Sequence, residues 1–217
     1  ILKNIPIYFN GRNISGASNN VTINGDIEQP DSTNFGSAAK DAEAGLEKVS
    51  ATAAIMFPED FDLEAVLFAA RGAPVLLSFF VDGIVVGTSI EFSAYGLSLK
   101  HMPGGQVGAL VGSTIEMSGR GIPLLRGVVL ENEATGYSEA STFGEDLEIV
   151  GGVASNYAMY LALHVLDWVG LTALGVVLQR DADSGFASPL TAITVPTFTS
   201  GTDNRFALLS VNGPLTD

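Results

Sequence analysis

Residues 31–57 read DSTNFGSAAKDAEAGLEKVSATAAIMF, and this stretch decides how the chain can fold. Its first part is polar and rich in alanine, whereas residues 49–57 alternate between apolar and small or polar side chains. The apolar set on one face of this run is Val49, Ala51, Ala53, Ile55 and Phe57. A period of two residues is typical of a β-strand with one buried face. The stretch therefore predicts a polar loop that leads directly into a long, half-buried strand.

Alternation of the same period recurs along the chain and predicts an antiparallel β protein. The dipeptide Asn10-Gly11 is a typical turn signal of a β-hairpin, and residues 20–28 alternate after it. Further runs with strand character lie at 75–81, 86–100, 106–118 and 122–130. In the second of these runs the apolar positions change phase at Tyr95-Gly96, and such a slip beside a glycine predicts a β-bulge there.

One helix is predicted, at residues 60–71. Asp60 is a candidate N-cap, and acidic residues around it suit the positive end of the helix dipole. Gly72 and Pro74 follow the last predicted turn and favour its termination. An apolar face at helical spacing is formed by Leu63, Val66, Leu67 and Ala70. We expect that face to pack on a sheet.

The composition changes at residues 131–146, where acidic and small polar residues replace most large apolar ones. We place a linker there, between a domain at 1–130 and a second domain at 147–217. The second domain has short strands separated by turns, the pattern of a small β-sandwich. Its stretch 157–178 is about as long and apolar as a transmembrane helix. His164 and Asp167 would make a membrane span costly, so the stretch predicts a buried β-hairpin and no span.

The charge balance argues against a surface that grips DNA. Acidic residues outnumber basic ones 24 to 10, for a formal net charge of -14. Proteins that hold DNA need lysines and arginines to displace counterions from the phosphates. The acids could instead repel DNA from a wall, keep an apolar protein soluble or reflect a saline habitat. Without cysteine, the chain has neither a disulfide framework nor a thiolate metal site.

The sequence holds no motif that predicts catalysis. The glycine pairs at 104–105 and 151–152 lack the lysine and the following helix of a phosphate-binding loop. None of Ser37, Ser113 and Ser210 lies in a Gly-x-Ser-x-Gly turn. His101 and His164 have no convergent partners nearby in sequence, which favours structural histidines over catalytic or metal-binding ones. We therefore expect no enzyme activity and no cofactor.

One short string begins like a calcium-binding loop. In residues 181–185, which read DADSG, the candidate calcium ligands are Asp181 and Asp183. Oxygen ligands at alternate positions fit such a loop, but residues 186–197 contain no acidic residue to supply the distal bidentate ligand. A β-turn of Asp, Ser and Gly explains the same letters, and we favour the turn.

Several short motifs together resemble the phage tail-tube proteins and related virion structural proteins. They are Thr33-Asn34-Phe35-Gly36, Ala44-Gly45-Leu46, Tyr8-Phe9-Asn10-Gly11, Ile14-Ser15-Gly16 and Asn20-Val21-Thr22-Ile23. The first two are followed by the alternating strand, as in that family. The stretch from 161 through 179–181 and 184–185 to 191–198 resembles the meander appended to some virion proteins of the family.

The resemblance implies a mainly β fold, a tail-tube-like β-sandwich or half-barrel with one helix, followed by a small β-sandwich domain. It implies a tail-tube subunit in the virion tail, a homo-oligomer of stacked rings that meets other virion proteins. DNA would pass through the rings without specific binding. A capsid-decoration or neck protein is the alternative. A glycan-binding second domain would need an exposed aromatic cluster, and we expect Trp168, the only tryptophan, to pack at a strand end instead.

The loop before the alternating strand is the predicted subunit interface. A long connection without its own fold is uncommon in a single domain and is usually functional. We expect it to dock on a neighbouring subunit. The interface residues predicted from it are Phe35, Ala38, Lys40, Asp41, Glu43 and Leu46.

Overall fold

The structure, a computed structural model, describes most of the chain. The described residues are 5–32, 44–56, 61–105, 111–130, 158–166, 173–180, 190–199 and 205–212. In these ranges the fold is mainly β with a single helix, which confirms the predicted fold class. The predicted division into 1–130, 131–146 and 147–217 stays a prediction, because the proposed linker lies outside the described residues.

The elements in chain order begin with eight strands and the helix. They are β1 (Ile7–Phe9), β2 (Arg12–Asn13), β3 (Ser18–Ile27), β4 (Glu47–Met56), α1 (Phe61–Ala69), β5 (Pro74–Phe80), β6 (Ile90–Gly104), β7 (Gly112–Gly119) and β8 (Leu125–Val128). Short strands make up the rest. They are β9 (Ala158–His164), β10 (Ala173–Leu174), β11 (Val177–Arg180), β12 (Leu190–Thr194), β13 (Phe198–Thr199) and β14 (Phe206–Asn212).

The chain forms two compact units, each built from separate segments. The first unit takes the described residues of Ile1–Ser15, Ser78–Ser93 and Arg126–Asp217, and the second takes those of Gly16–Leu77 and Ala94–Leu125. Strands β5, β6 and β8 therefore contribute residues to both units.

The second unit is built around the alternating strand that the sequence predicts. Its neighbouring strands follow the order β5-β6-β7-β4-β3, and β4 pairs antiparallel with both β7 and β3. The buried residues of β4 are Val49, Ala51, Ala53 and Ile55, which confirms the predicted face; Phe57 lies outside the described residues. Burial of every second side chain fixes the register, because a slip by one residue would expose the whole set.

The predicted helix is confirmed as α1. Leu67 and Ala70 are buried, so the predicted inner face packs inward. The chain leaves the helix through Gly72, whose φ of 75° is left-handed, a conformation that glycine adopts without strain at a helix end. The Gly72 amide then donates to the carbonyl of Ser98, 2.8 Å away, which ties the end of the helix to β6.

The predicted bulge at Tyr95-Gly96 is wrong in position. Gly96 pairs regularly with Gly119, and the register shifts between Ser98 and Lys100, which leaves Leu99 as the extra residue. A side chain at Gly96 would collide with the backbone of Ser118, so this glycine serves a close approach of two strands. The extra residue falls further on, where its side chain reaches solvent.

The first unit begins with the predicted hairpin. β1 pairs antiparallel with β2, and the strands continue in the order β2-β1-β5-β6. At the turn, Asn10 and Gly11 have φ angles of 47° and 74°. Positive φ at both central residues matches the right-handed twist of paired strands, which confirms the Asn-Gly turn signal.

The C-terminal strands of the first unit form pairs around a small core. β9 pairs with β14, β10 with β13 and β11 with β12, all antiparallel. The buried centre of this core is formed by Val165, Val195 and Phe198, with Leu161, Leu163, Leu174, Val176, Ala207 and Leu209 packed against it. Such a core between separate strand pairs is consistent with the predicted small β-sandwich.

The predicted hairpin at 157–178 is wrong in its pairing. β9 pairs with β14 along its whole length, from Ala158 opposite Asn212 to His164 opposite Phe206. Leu161 and Leu174, one from each half of the predicted hairpin, instead pack on the same core from different sheets. Within the described residues, no helix has the length and hydropathy needed to cross a membrane.

Candidate assembly surfaces

Leu46 is the member of the predicted interface that the structure describes. Phe35, Ala38, Lys40, Asp41 and Glu43 lie outside the described residues. The candidate calcium ligands Asp181 and Asp183 also lie outside them, as does Trp168. Within the described ranges, no group of three or more His, Asp or Glu side chains could hold a metal ion.

The β3–β4 hairpin presents apolar side chains where its described strands end. Leu46 is 82% exposed and Ile27 is 56% exposed. The Glu28 amide donates to the Leu46 carbonyl at 3.1 Å, and the Gly45 amide donates to the Glu28 carbonyl at 2.7 Å. The backbone is therefore fixed by hydrogen bonds, while both apolar side chains face solvent. Ile27 pairs with Glu47, so its side chain points to the face opposite that of its neighbours in sequence and register, Glu28 and Leu46. We call Glu28 and Leu46 the hairpin-end surface.

Further contacts within the second unit hold this hairpin in place. A carboxylate oxygen of Glu47 accepts a hydrogen bond from the Leu124 amide at 3.0 Å. A Cβ on Gly25 would lie 2.5 Å from the same oxygen, and a Cβ on Gly45 would lie 2.9 Å from the Glu28 carbonyl. Both glycines allow an approach that a side chain would block. The side chain of Leu46 is therefore exposed although the hairpin that carries it is ordered and closely packed.

The sheet of the second unit also has an open edge. β3 is the last strand in the sheet order, and none of the described strands pairs with its outer side. A long edge strand presents unpaired amides and carbonyls that can pair with another chain. β3 carries mostly exposed residues, among them Asn20, Thr22 and Asn24, which keep this edge polar.

The outer face of α1 is a second exposed apolar surface. Phe68 is 53% exposed, and Ala65 and Ala69 beside it are exposed too. The Arg71 guanidinium lies 3.6 Å from the centroid of the Phe68 ring, and its Nε donates to the Phe68 carbonyl at 3.1 Å. This cation–π contact holds the guanidinium over the ring. We call Ala65, Phe68, Ala69 and Arg71 the helix surface.

His101 lies at the edge of the helix surface. Its ring meets Phe68 edge to face, with 6.4 Å between the ring centroids. Desolvation lowers the pKa of His101; the negative charge of Glu64 acts against this shift, and the positive charge of Arg71 adds to it. The neutral form of His101 is therefore favoured, which leaves Arg71 as the cation of this surface.

The other histidine, His164, is the centre of a hydrogen-bond network in the first unit. Its Nδ1 accepts a hydrogen bond from the Gly11 amide at 3.1 Å, and its Nε2 lies 2.8 Å from the hydroxyl of Ser78. The Ser78 and Ser93 hydroxyls are 2.7 Å apart, and the Ser93 hydroxyl donates to the Glu91 carboxylate. These partners could not be predicted from the sequence, because Gly11 and His164 are 153 positions apart.

The geometry of this network does not activate a nucleophile. Because Nδ1 accepts from an amide, a neutral His164 carries its proton on Nε2 and donates it to Ser78. A general base would need an unprotonated nitrogen facing the serine. Ser78 is also fully buried, and burial lowers the pKa of His164 to about 3. The arrangement is that of a structural histidine with both ring nitrogens engaged.

Comparisons with known proteins give likenesses of fold only. No protein-family model and no curated protein sequence match the chain. One similar solved structure is the tail of an empty GTA particle with C6 symmetry, with 12% identity, a TM-score of 0.38 and coverage of 49% of this chain and 79% of that one. Another is SPP1 Dit (gp 19.1), a hub adsorption protein of phages that infect Gram-positive hosts, with 13% identity, a TM-score of 0.40 and coverage of 91% and 76%. Neither likeness is close enough to transfer a function.

Proposed function

We propose that this protein is a structural subunit of a tailed virus, and specifically a tail-tube subunit that assembles into stacked rings around a conduit for DNA. The observation that carries the proposal is the hairpin-end surface, where Leu46 is held in solvent by a hydrogen-bonded backbone. Burying a leucine side chain contributes about 1.5–3 kcal/mol. Because the backbone at Leu46 is already hydrogen-bonded, association has to order only its side chain.

Residues 33–43 connect the two strands at this same end of the hairpin. They include Phe35 and Ala38 of the predicted interface, and we propose that they extend the same contact onto a neighbouring copy. A larger contact area is needed, since stable protein interfaces bury about 800 Å² on each partner.

The helix surface provides a complementary partner for the hairpin-end surface. One surface has Glu28 beside Leu46, and the other has Arg71 fixed over Phe68. Each surface has an apolar centre, and the charge beside that centre is negative on one surface and positive on the other. The two surfaces are therefore complementary in hydrophobicity and in charge. Because the two surfaces consist of different residues, contact between them in two copies is heterologous. Such contacts generate closed rings or open filaments.

The charge of the chain fits a conduit through which DNA slides. DNA carries one negative charge per about 1.7 Å of duplex, and a basic wall would hold it through many phosphates. With a net charge of -14, the subunit repels DNA on average. We expect assembled protein to show no binding to duplex DNA even at low salt, where electrostatic attraction is least screened. Affinity that appears at low salt and falls steeply as salt rises would contradict this part of the proposal.

Electron microscopy of the purified full chain tests the proposed function. We expect rings or tubes from the wild type and dispersed subunits from Leu46→Asp, since a carboxylate would have to be buried at the contact. Val85→Asp is the matched control, because Val85 is 57% exposed and lies outside both surfaces. It should assemble as the wild type does. A wild-type protein that stays monomeric at high concentration, or that coats capsid lattices without forming tubes, would contradict the tail-tube proposal.

A further inference from the structure

We propose that His164 is an acid-sensitive latch that holds the C-terminal strand pair β9–β14 on the N-terminal hairpin of the first unit. β9 presents Leu161 and Leu163 to the C-terminal core, and His164 at its end bonds to the turn between β1 and β2. Hydrogen bonds through this one side chain therefore link the C-terminal strands to Gly11 and to β5.

At the junction around His164, Gly11 lies close to Arg205 as well as to His164. A side chain on Gly11 would collide with the carbonyl and the Cβ of Arg205, the residue immediately before β14. The same Arg205 carbonyl accepts a hydrogen bond from the Val165 amide at 2.7 Å. The turn, the end of β9 and the start of β14 thus meet at one point. An event that separates His164 from Gly11 also loosens the packing of Gly11 on Arg205.

The network allows one arrangement of protons when His164 is neutral. At the far end of the network Ser93 donates to the Glu91 carboxylate, so the Ser93 oxygen is left to accept and Ser78 donates to it. The Ser78 oxygen then accepts from Nε2 of His164, and Nδ1 remains as the acceptor for Gly11. Each donor in the series has an acceptor. The buried polar groups are satisfied only in this state.

Protonation of His164 breaks this arrangement at Gly11. A second proton on Nδ1 would face the Gly11 amide, placing two donors against each other. Among the described residues that surround the ring, Tyr8 contacts it edge to face, with ring centroids 5.6 Å apart. Glu91 is separated from it by two serine hydroxyls, and Arg205 adds a positive charge whose guanidinium donates to the Leu166 carbonyl at 3.2 Å. These neighbours include no carboxylate in direct contact that would compensate an imidazolium.

The direction in which the pKa of His164 is shifted determines whether acid strengthens or weakens the latch. Burial lowers the pKa of His164 from an ordinary value of 6.5 to about 3, so the closed latch binds the proton less readily than the open one. The latch is at full strength above pH 6.5 and weakens as the pH falls from there towards 3. Within that window the equilibrium constant for closing falls by about tenfold per pH unit.

Hydrogen exchange of the full chain, assembled or not, tests the latch. Peptides that contain Gly11 and residues 158–166 should lose protection by about tenfold per pH unit below pH 6, after correction for the intrinsic exchange rate. His164→Asn keeps an acceptor for the Gly11 amide and does not titrate, so the tenfold loss of protection per pH unit should be absent from this variant. His101→Asn is the control and should retain the wild-type dependence. An equal pH slope in His164→Asn and the wild type would overturn the proposal.

Nitrogen-15 NMR of histidine-labelled wild-type protein, in solution or in the solid state, gives an independent reading that needs no variant. We expect His164 to be neutral at pH 6 and to carry its proton on Nε2. A proton on Nδ1, or an imidazolium at that pH, would contradict the latch whether or not His164→Asn folds.

Discussion

The hairpin end of the second unit exposes apolar side chains, whereas the His164 junction of the first unit buries polar side chains. At the hairpin end, Leu46 and Ile27 are apolar and remain in water. At the junction, Ser78 and Ser93 are polar and buried, and both are paired. Apolar exposure of this kind is relieved by association with a partner, whereas a satisfied polar network needs no partner. The hairpin end is therefore the surface that we propose for assembly, and the His164 junction is a joint within the fold of one unit.

The largest effect on folding is expected at Gly11. Its left-handed φ disfavours any side chain, and a Cβ there would collide with Arg205. We expect Gly11→Ala to lower the free energy of unfolding by about 3 kcal/mol, through backbone strain and overpacking together. Urea denaturation measures this change. Gly83→Ala is the control, because Gly83 has a φ of 97° and a Cβ added there would meet open space, so its cost should be about 1 kcal/mol from strain alone. Equal costs would show that the junction is not tightly closed.

A smaller effect is expected from the loss of one link in the His164 network. Ser78→Ala removes the acceptor of the Nε2 proton and should cost about 1–3 kcal/mol, because a buried donor loses its partner. Ser113→Ala is the matched control, since the buried Ser113 hydroxyl has no hydrogen-bond partner among the described groups. Its replacement should be neutral or stabilising. Thermal unfolding compares the two, and a costly Ser113→Ala beside a harmless Ser78→Ala would reverse the interpretation.

The smallest effect on folding is expected at the hairpin end. Leu46 makes its hydrogen bond through the backbone and leaves its side chain in solvent. Leu46→Ser should therefore change the free energy of unfolding of the dispersed subunit by no more than about 0.5 kcal/mol. Thermal unfolding at low protein concentration measures it. A loss of several kcal/mol would mean that Leu46 packs within its own subunit.

The local features of the fold could be predicted from the sequence. The alternation in 49–57, the turn at Asn10-Gly11 and the helix at 60–71 each depend on residues close together in the chain. Near neighbours set strand periodicity, turn type and helix termination, so these signals are visible before any tertiary contact forms.

The features that could not be predicted depend on distant residues. The partner of β9 is β14, which lies beyond two intervening strand pairs. His164 has no partner nearby in the sequence, yet it meets Gly11, Ser78 and, through serines, Glu91. The apolar outer face of α1 was missed for another reason. An exposed Phe68 resembles a core residue in sequence, and only the packing shows which face is turned outward.

We propose that the hairpin-end surface of one copy contacts the helix surface of the next, and exchanging the charges of Glu28 and Arg71 tests this contact. Glu28→Arg and Arg71→Glu should each reduce assembly, because each places like charges at the contact, whereas the double variant restores the pair in reverse. Sedimentation of the wild type, both single variants and the double variant measures this. We expect assemblies from the wild type and the double variant and free subunits from each single variant. Assembly that is unaffected by the single variants, or that is lost equally in the double variant, would contradict this contact.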